Sequence, residues 1–204
     1  MSPHPRSTFR RRRWKLAAAL LVILFAFSLV GSGIWATFTS TTSASNSVSS
    51  GTLVIALGAT GASTNRLNVN ASGIAPGNTI QRSVDLINQG SMNLTSITLT
   101  TTATTSSLLD TDATNGLQMA IDHCSVPWTE SGSSPNFSYT CSGTTTSVLG
   151  SRAVIGSNLA LSSLSSLTAG LTDHLRVSLT LPTNAGNTFQ NQSSTLQYTF
   201  TGVQ

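Results

Sequence analysis

Apolar side chains recur at every second position through most of this chain, separated by serine, threonine and asparagine. Leu175-Arg176-Val177-Ser178-Leu179-Thr180-Leu181 alternates over seven residues, and Leu196-Gln197-Tyr198-Thr199-Phe200 over five. Ser96-Ile97-Thr98-Leu99-Thr100 and Arg66-Leu67-Asn68-Val69-Asn70-Ala71 repeat the pattern. A period of two places all the apolar groups of a segment on one face of a pleated strand. The β-branched residues between them suit that surface. Turn chemistry separates the segments at Ala75-Pro76-Gly77-Asn78, Asn88-Gln89-Gly90, Asn115-Gly116 and Pro182-Thr183-Asn184-Ala185-Gly186. Strands are expected near 37–43, 52–58, 66–72, 79–88, 94–104, 117–124, 137–141, 145–149, 174–181 and 194–202. That spacing predicts an all-β antiparallel sandwich and excludes a helix-rich or α/β fold. Leu159, Leu161, Leu164 and Leu167 have partly helical spacing, so one short helix is expected over Ser157–Thr168, at one end of the sheets.

The first 36 residues obey different rules. Arg6, Arg10, Arg11, Arg12, Arg13 and Lys15 precede the unbroken apolar run Leu16–Val30 and the small-residue exit Gly31-Ser32-Gly33-Ile34-Trp35-Ala36. A basic start, an apolar centre and a small-residue exit make a secretory signal helix. Ile34 and Ala36 fill the positions that a signal peptidase reads, so cleavage is expected between Ala36 and Thr37. The apolar run is shorter than the ~20 residues needed to span a bilayer, which favours removal over anchoring. The general and twin-arginine export routes both fit the arginine run. The domains are then a signal peptide over 1–36, an extended arm over 37–50 and a single sandwich over 51–204. Membrane contact is expected only through the signal segment, before cleavage, and the product is expected outside the cell or on its surface.

Removing 1–36 changes the charge. What remains carries Arg66, Arg82, Arg152 and Arg176 against Asp85, Asp110, Asp112, Asp122, Glu130 and Asp173, a net charge of −2, and no lysine. Nucleic acid is not an expected partner, because phosphate binding needs clustered Lys and Arg. Cys124 and Cys141 are the two cysteines. In an oxidising compartment an even pair at this spacing reads as a disulfide. Without lysine, neither a sortase-linked pilus nor an internal Lys–Asn isopeptide bond can form.

Few residues suggest chemistry. Beyond residue 36 the histidines are His123 and His174, and Glu130 is the one glutamate. Zinc peptidases place two histidines on one helical face beside a glutamate, and here each histidine follows an aspartate on an expected strand. No strained G-x-S-x-G elbow marks a serine nucleophile. No catalytic residue is therefore assigned, and no enzyme activity is expected. Asp110-Thr111-Asp112-Ala113-Thr114-Asn115-Gly116 resembles a calcium loop, with Asp110, Asp112 and Asn115 as candidate ligands of a structural calcium. The spacing departs from an EF-hand and the distal glutamate is missing, so a polar hairpin loop is the simpler reading. Trp128, Phe137 and Tyr139 lie in or beside the cystine loop. They suit either packing on the disulfide or a binding platform.

Three blocks resemble the TasA/camelysin family. Trp35-Ala36-Thr37-Phe38 and Ser50-Gly51-Thr52-Leu53 resemble its signal exit and first strand. Ile74-Ala75-Pro76-Gly77-Asn78-Thr79 with Val84-Asp85-Leu86-Ile87-Asn88-Gln89-Gly90-Ser91 resembles its strand–turn–strand block. Asn187-Thr188-Phe189-Gln190-Asn191-Gln192-Ser193, leading to Tyr198-Thr199-Phe200 and Gln204, resembles its closing strand. The resemblance implies a jelly-roll-like β-sandwich, removal of the signal by a signal peptidase, and a biofilm-matrix subunit that polymerises head to tail with itself. In such fibres the N-terminal strand of one subunit completes the sheet of the next. Here that strand is expected to be Thr37–Ser50, with Phe38 and Val48 filling pockets. Cys124, Cys141 and His123-Cys124-Ser125-Val126-Pro127-Trp128 depart from the family pattern. A monomeric surface-binding or adhesion module is the alternative function, and a camelysin-like secreted metallo-endopeptidase is the second alternative.

Overall fold

The computed structural model describes residues 35–42, 52–68, 71–72 and 74–204, with the backbone alone for 35–42 and 71–72. The expected signal helix up to residue 34, and Val48 with the rest of 43–51, lie outside the described residues.

Twelve strands are seen among the described residues. They are β1 (Trp35–Thr42), β2 (Ile55–Leu57), β3 (Ala71–Ser72), β4 (Thr79–Asn88), β5 (Ser96–Thr105), β6 (Gln118–Cys124), β7 (Thr129–Ser133), β8 (Asn136–Thr140), β9 (Thr145–Ala153), β10 (Gly156–Ala160), β11 (Thr172–Thr180) and β12 (Thr195–Val203). One five-stranded sheet runs β10-β5-β12-β1-β3 and the other β2-β4-β11-β6-β9, while β7 and β8 form a separate hairpin. Pairing is antiparallel throughout except between β1 and β12, which run parallel. The expected all-β sandwich is thus the fold.

The alternation does the work the sequence assigns to it. Leu175, Val177 and Leu179 of β11 face inward, and so do Met119 and Ile121 of β6 and Val84 and Leu86 of β4. From the other sheet Leu196, Tyr198 and Phe200 of β12 meet them, with Ile97 and Leu99 of β5. All of these are at most 1% exposed. Each such side chain contributes about 1.5–3 kcal/mol by leaving water. At the end of this row Gly202 admits Ile55 and Leu94 so closely that a Cβ there would run into the Ile55 side chain.

Two local expectations need correction, and one element was not expected. No helix forms over Ser157–Thr168: Gly156–Ala160 is β10, paired with β5. Leu159 and Leu161 are two apart, and Leu161 N–H continues the pairing by donating to Ile97 O. The chain then turns through Ser163, whose φ is 57°. The Ser165 and Ser166 amides are held by the buried Asp173 carboxylate at 2.9 and 2.7 Å. A helix appears instead at α1 (Leu108–Thr111). Ser107 caps it through Leu109 N–H, and Asp110 reaches back to the Ser107 amide, a reciprocal capping box. Of the strand expected over 66–72, the described residues show β3 alone: Leu67 and Asn68 turn, and Asn65 makes a lone bridge to Val84.

Candidate functional site

β1 stands next to β12 in one sheet, and its first two residues also meet β3. Thr37 to Thr42 run in register with Thr195 to Phe200, while Trp35 and Ala36 pair with Ser72 and Ala71. Of the arm expected over 37–50, the structure describes Thr37–Thr42, which form a sheet strand where one was expected near 37–43. Without β1, β12 would present an unpaired edge although its alternate residues Leu196, Tyr198 and Phe200 belong to the core. A row of unsatisfied backbone groups next to buried side chains is costly, so this seat needs an occupant.

The second feature is a layer laid over the outer face of the β2-β4-β11-β6-β9 sheet. Cys124 ends β6 on that face, and its disulfide to Cys141, with Cα atoms 5.7 Å apart, ties down the β7–β8 hairpin. Trp128 and Tyr139 are buried against the cystine, with Phe137 beside them. These aromatics therefore pack as a small second core. Trp128 Nε1–H donates to His174 O at 2.9 Å. Gly132, with a φ of +85°, sits where a Cβ would strike Asn136 O.

Arginines rivet this layer to the sheet. Arg66 donates through Nε and Nη2 to the two Glu130 oxygens at 2.9 and 2.6 Å, and stacks 4.7 Å from the Phe137 ring centroid. Its Nη1 donates to Gly61 O. Tyr139 Oη–H donates to Glu130 Oε2 at 2.9 Å. Arg176 lies 4.4 Å from the Trp128 ring centroid and donates to Asp122 Oδ2 at 2.7 Å. Paired charge and ring contacts of this kind are among the stronger surface interactions. The Arg66 hydrogen bond holds the Glu130 carboxyl below its ordinary range. Burial pushes the Tyr139 phenol up, and burial pulls the Arg82 guanidinium down. Sequence reasoning missed this network. Arg66 and Glu130 lie 64 residues apart, and no local pattern joins them.

The Asp110–Gly116 loop spends its carboxylates internally. Asp110 is 7% exposed and accepts from the Ser106 hydroxyl, the Ser107 amide and the Ser194 hydroxyl. Asp112 accepts from the Thr114 and Asn115 amides and the Asn115 side chain, chiefly the Asn115 amide, which lowers its pKa. Asn115 Oδ1 accepts from Asn184 at 3.0 Å. The three calcium candidates thus serve as helix cap, turn cap and loop tie.

The histidines point to opposite faces, as neighbours of aspartates on strands should. His123 shares the inward face with Leu175 and lies 3.4 Å from Asp173, whereas His174 faces outward and meets Asp85 at 2.8 Å. Glu130 is held by Arg66 and Tyr139. No three His, Cys, Asp or Glu side chains converge on a metal position among the described residues.

Compared with known protein families, residues 12–204 match the sequence model described as camelysin metallo-endopeptidase. No curated protein matches the chain. Among the described residues, those that could hold the metal this description implies do not fit it: His123 and His174 lie on opposite faces, and Glu130 is committed to a guanidinium and a phenol.

Proposed function

The chain belongs to the camelysin metallo-endopeptidase family, and on that premise we propose that it is a secreted structural subunit whose β1 completes the sheet of a neighbouring copy to build extracellular or cell-surface fibres. The observation that carries this reading is the seat of β1. A strand near one end of the chain runs along β12 from Thr37 to Thr42, and β3 pairs only with Trp35 and Ala36 ahead of it. The residues that follow it, Ser43-Ala44-Ser45-Asn46-Ser47-Val48-Ser49-Ser50-Gly51, are nearly all small and uncharged. A terminal element of this kind can be exchanged between identical subunits at little cost, because the same ladder forms with either copy's strand. Exchange in one direction only is a head-to-tail contact that does not close, and it propagates as a filament.

The surface agrees with lateral contact. Natural edge strands are commonly guarded by lysine, and no lysine occurs after Lys15. The peptidase reading rests on the family's description alone. It would need His123, His174 and Glu130 to gather, and each has another partner.

Electron microscopy of purified 37–204 beside the same chain lacking 37–42 tests the proposal. Filaments from the first and none from the second are expected. Monodisperse monomer from 37–204 under all conditions would leave the monomeric surface module as the better reading. Casein cleavage that a chelator abolishes would revive the peptidase.

A further inference from the structure

The cystine that ties the β7–β8 hairpin to the sheet has neighbours that a purely structural bridge does not need. Asp85 on β4, His174 on β11 and Cys124 on β6 are register partners across three adjacent strands. Partners in an antiparallel ladder share a face, with Cβ atoms about 4.5–5.5 Å apart. This row lies on the outer face of the sheet. β4 and β6 flank β11 on opposite sides, so His174 stands between the carboxylate and the sulfur. His174 Nδ1 meets Asp85 Oδ1 at 2.8 Å, and Nε2 is the nitrogen that Asp85 does not engage. The two sulfurs differ in access: Cys124 is fully buried, whereas Cys141 is only partly so. In thiol–disulfide exchange the thiolate attacks the sulfur it can reach, and the step is faster when the departing sulfur's charge is stabilised.

We propose that Cys141 is a reversible S-thiolation site for small thiols such as glutathione, with Cys124 as the leaving sulfur and His174, oriented by Asp85, as its proton donor. This goes beyond the fibre reading and stands without it. A glutathione thiolate attacks Cys141 Sγ. The bond between Cys141 and glutathione forms, the Cys124–Cys141 bond breaks, and its electron pair leaves on Cys124 Sγ. The His174 imidazolium passes its Nε2 proton to that sulfur and becomes neutral imidazole. One disulfide is exchanged for another, with the thiol as reductant. In reverse, His174 takes the proton back, and the Cys124 thiolate attacks Cys141 Sγ and expels glutathione. While Cys141 is thiolated, the hairpin has no covalent tie to β6, so exchange at one sulfur loosens the aromatic layer.

The full-length chain in detergent micelles, with its His174→Gln and Asp122→Asn variants, tests this against reduced glutathione without denaturant. Free thiols are trapped by alkylation, and the products are read by intact mass and peptide mapping. The adduct should sit on Cys141 with Cys124 free, and His174→Gln should form it about tenfold more slowly. A merely structural His174 predicts the opposite sign, because a looser hairpin bares the bridge and speeds attack. Asp122→Asn removes the Arg176 tie and should react no more slowly than the unaltered chain. Slowing equal to that of His174→Gln would show that the layer, not the ring, sets the rate, and would overturn the inference. So would an adduct on Cys124, no adduct on the unaltered chain, or a His174→Gln rate equal to or above the unaltered one.

Discussion

At the scale of single residues, the most exacting arrangement is Arg66, Glu130 and Tyr139. One carboxylate receives two guanidinium donors and a phenol, in a setting where both charged partners keep about a fifth of their side-chain surface in water. Its folded-state pKa lies below the ordinary glutamate value, chiefly through Arg66. The folded chain therefore holds this proton less tightly than the unfolded one. The stabilisation is complete at neutral pH and is lost as pH falls below about 4.3 and on through the lowered value. Glu130→Gln should cost about 1 kcal/mol at pH 7 and make the acid limb of a stability–pH curve shallower. Urea unfolding at pH 7 and at pH 3 checks this. An unchanged acid limb would show that Glu130 has no preferential pairing in the folded state.

At the scale of elements, the β7–β8 hairpin owes its position to the cystine and to the aromatics beneath it. Replacing Cys124 and Cys141 together by serine reopens a loop of 17 residues, which should cost about 3 kcal/mol. The loss should appear as a lower thermal midpoint and as faster amide exchange across Thr129–Thr140. An unaltered midpoint would mean that Trp128 and Tyr139 hold the hairpin without it. The elements also show where sequence is readable. β11 and β12 are plain because buried apolar residues alternate with less buried, mostly polar ones along each. β7 (Thr-Glu-Ser-Gly-Ser) buries little of either face and carries no alternation. β10 was mistaken for part of a helix because the leucines on it and on the following turn fall at mixed spacings. The helix that does form is announced by Ser107-Leu108-Leu109-Asp110, a capping box that shares Asp110 with the calcium-like loop. The cystine was legible from residue count and compartment. The Arg66–Glu130 and Arg176–Trp128 contacts were not, since tertiary pairings between distant residues leave no periodic trace.

At the scale of the whole molecule, two five-stranded sheets enclose one core, and one of them is complete only with β1 in place. A seat of this kind is indifferent to which copy supplies the strand, which is why the fold suits both a self-contained subunit and a chain of them. The parallel register of β1 with β12 turns that choice into a measurement. Two variants of 37–204, one carrying Thr39→Cys and the other Gln197→Cys, place single thiols at partner positions of the ladder. Mixed at a concentration that forms filaments and treated with a short thiol cross-linker, they should give covalent pairs containing one chain of each variant. If instead cross-linking occurs only when both cysteines are on one chain, and never between the two variants, β1 stays in its own subunit and the proposed mode of assembly is contradicted.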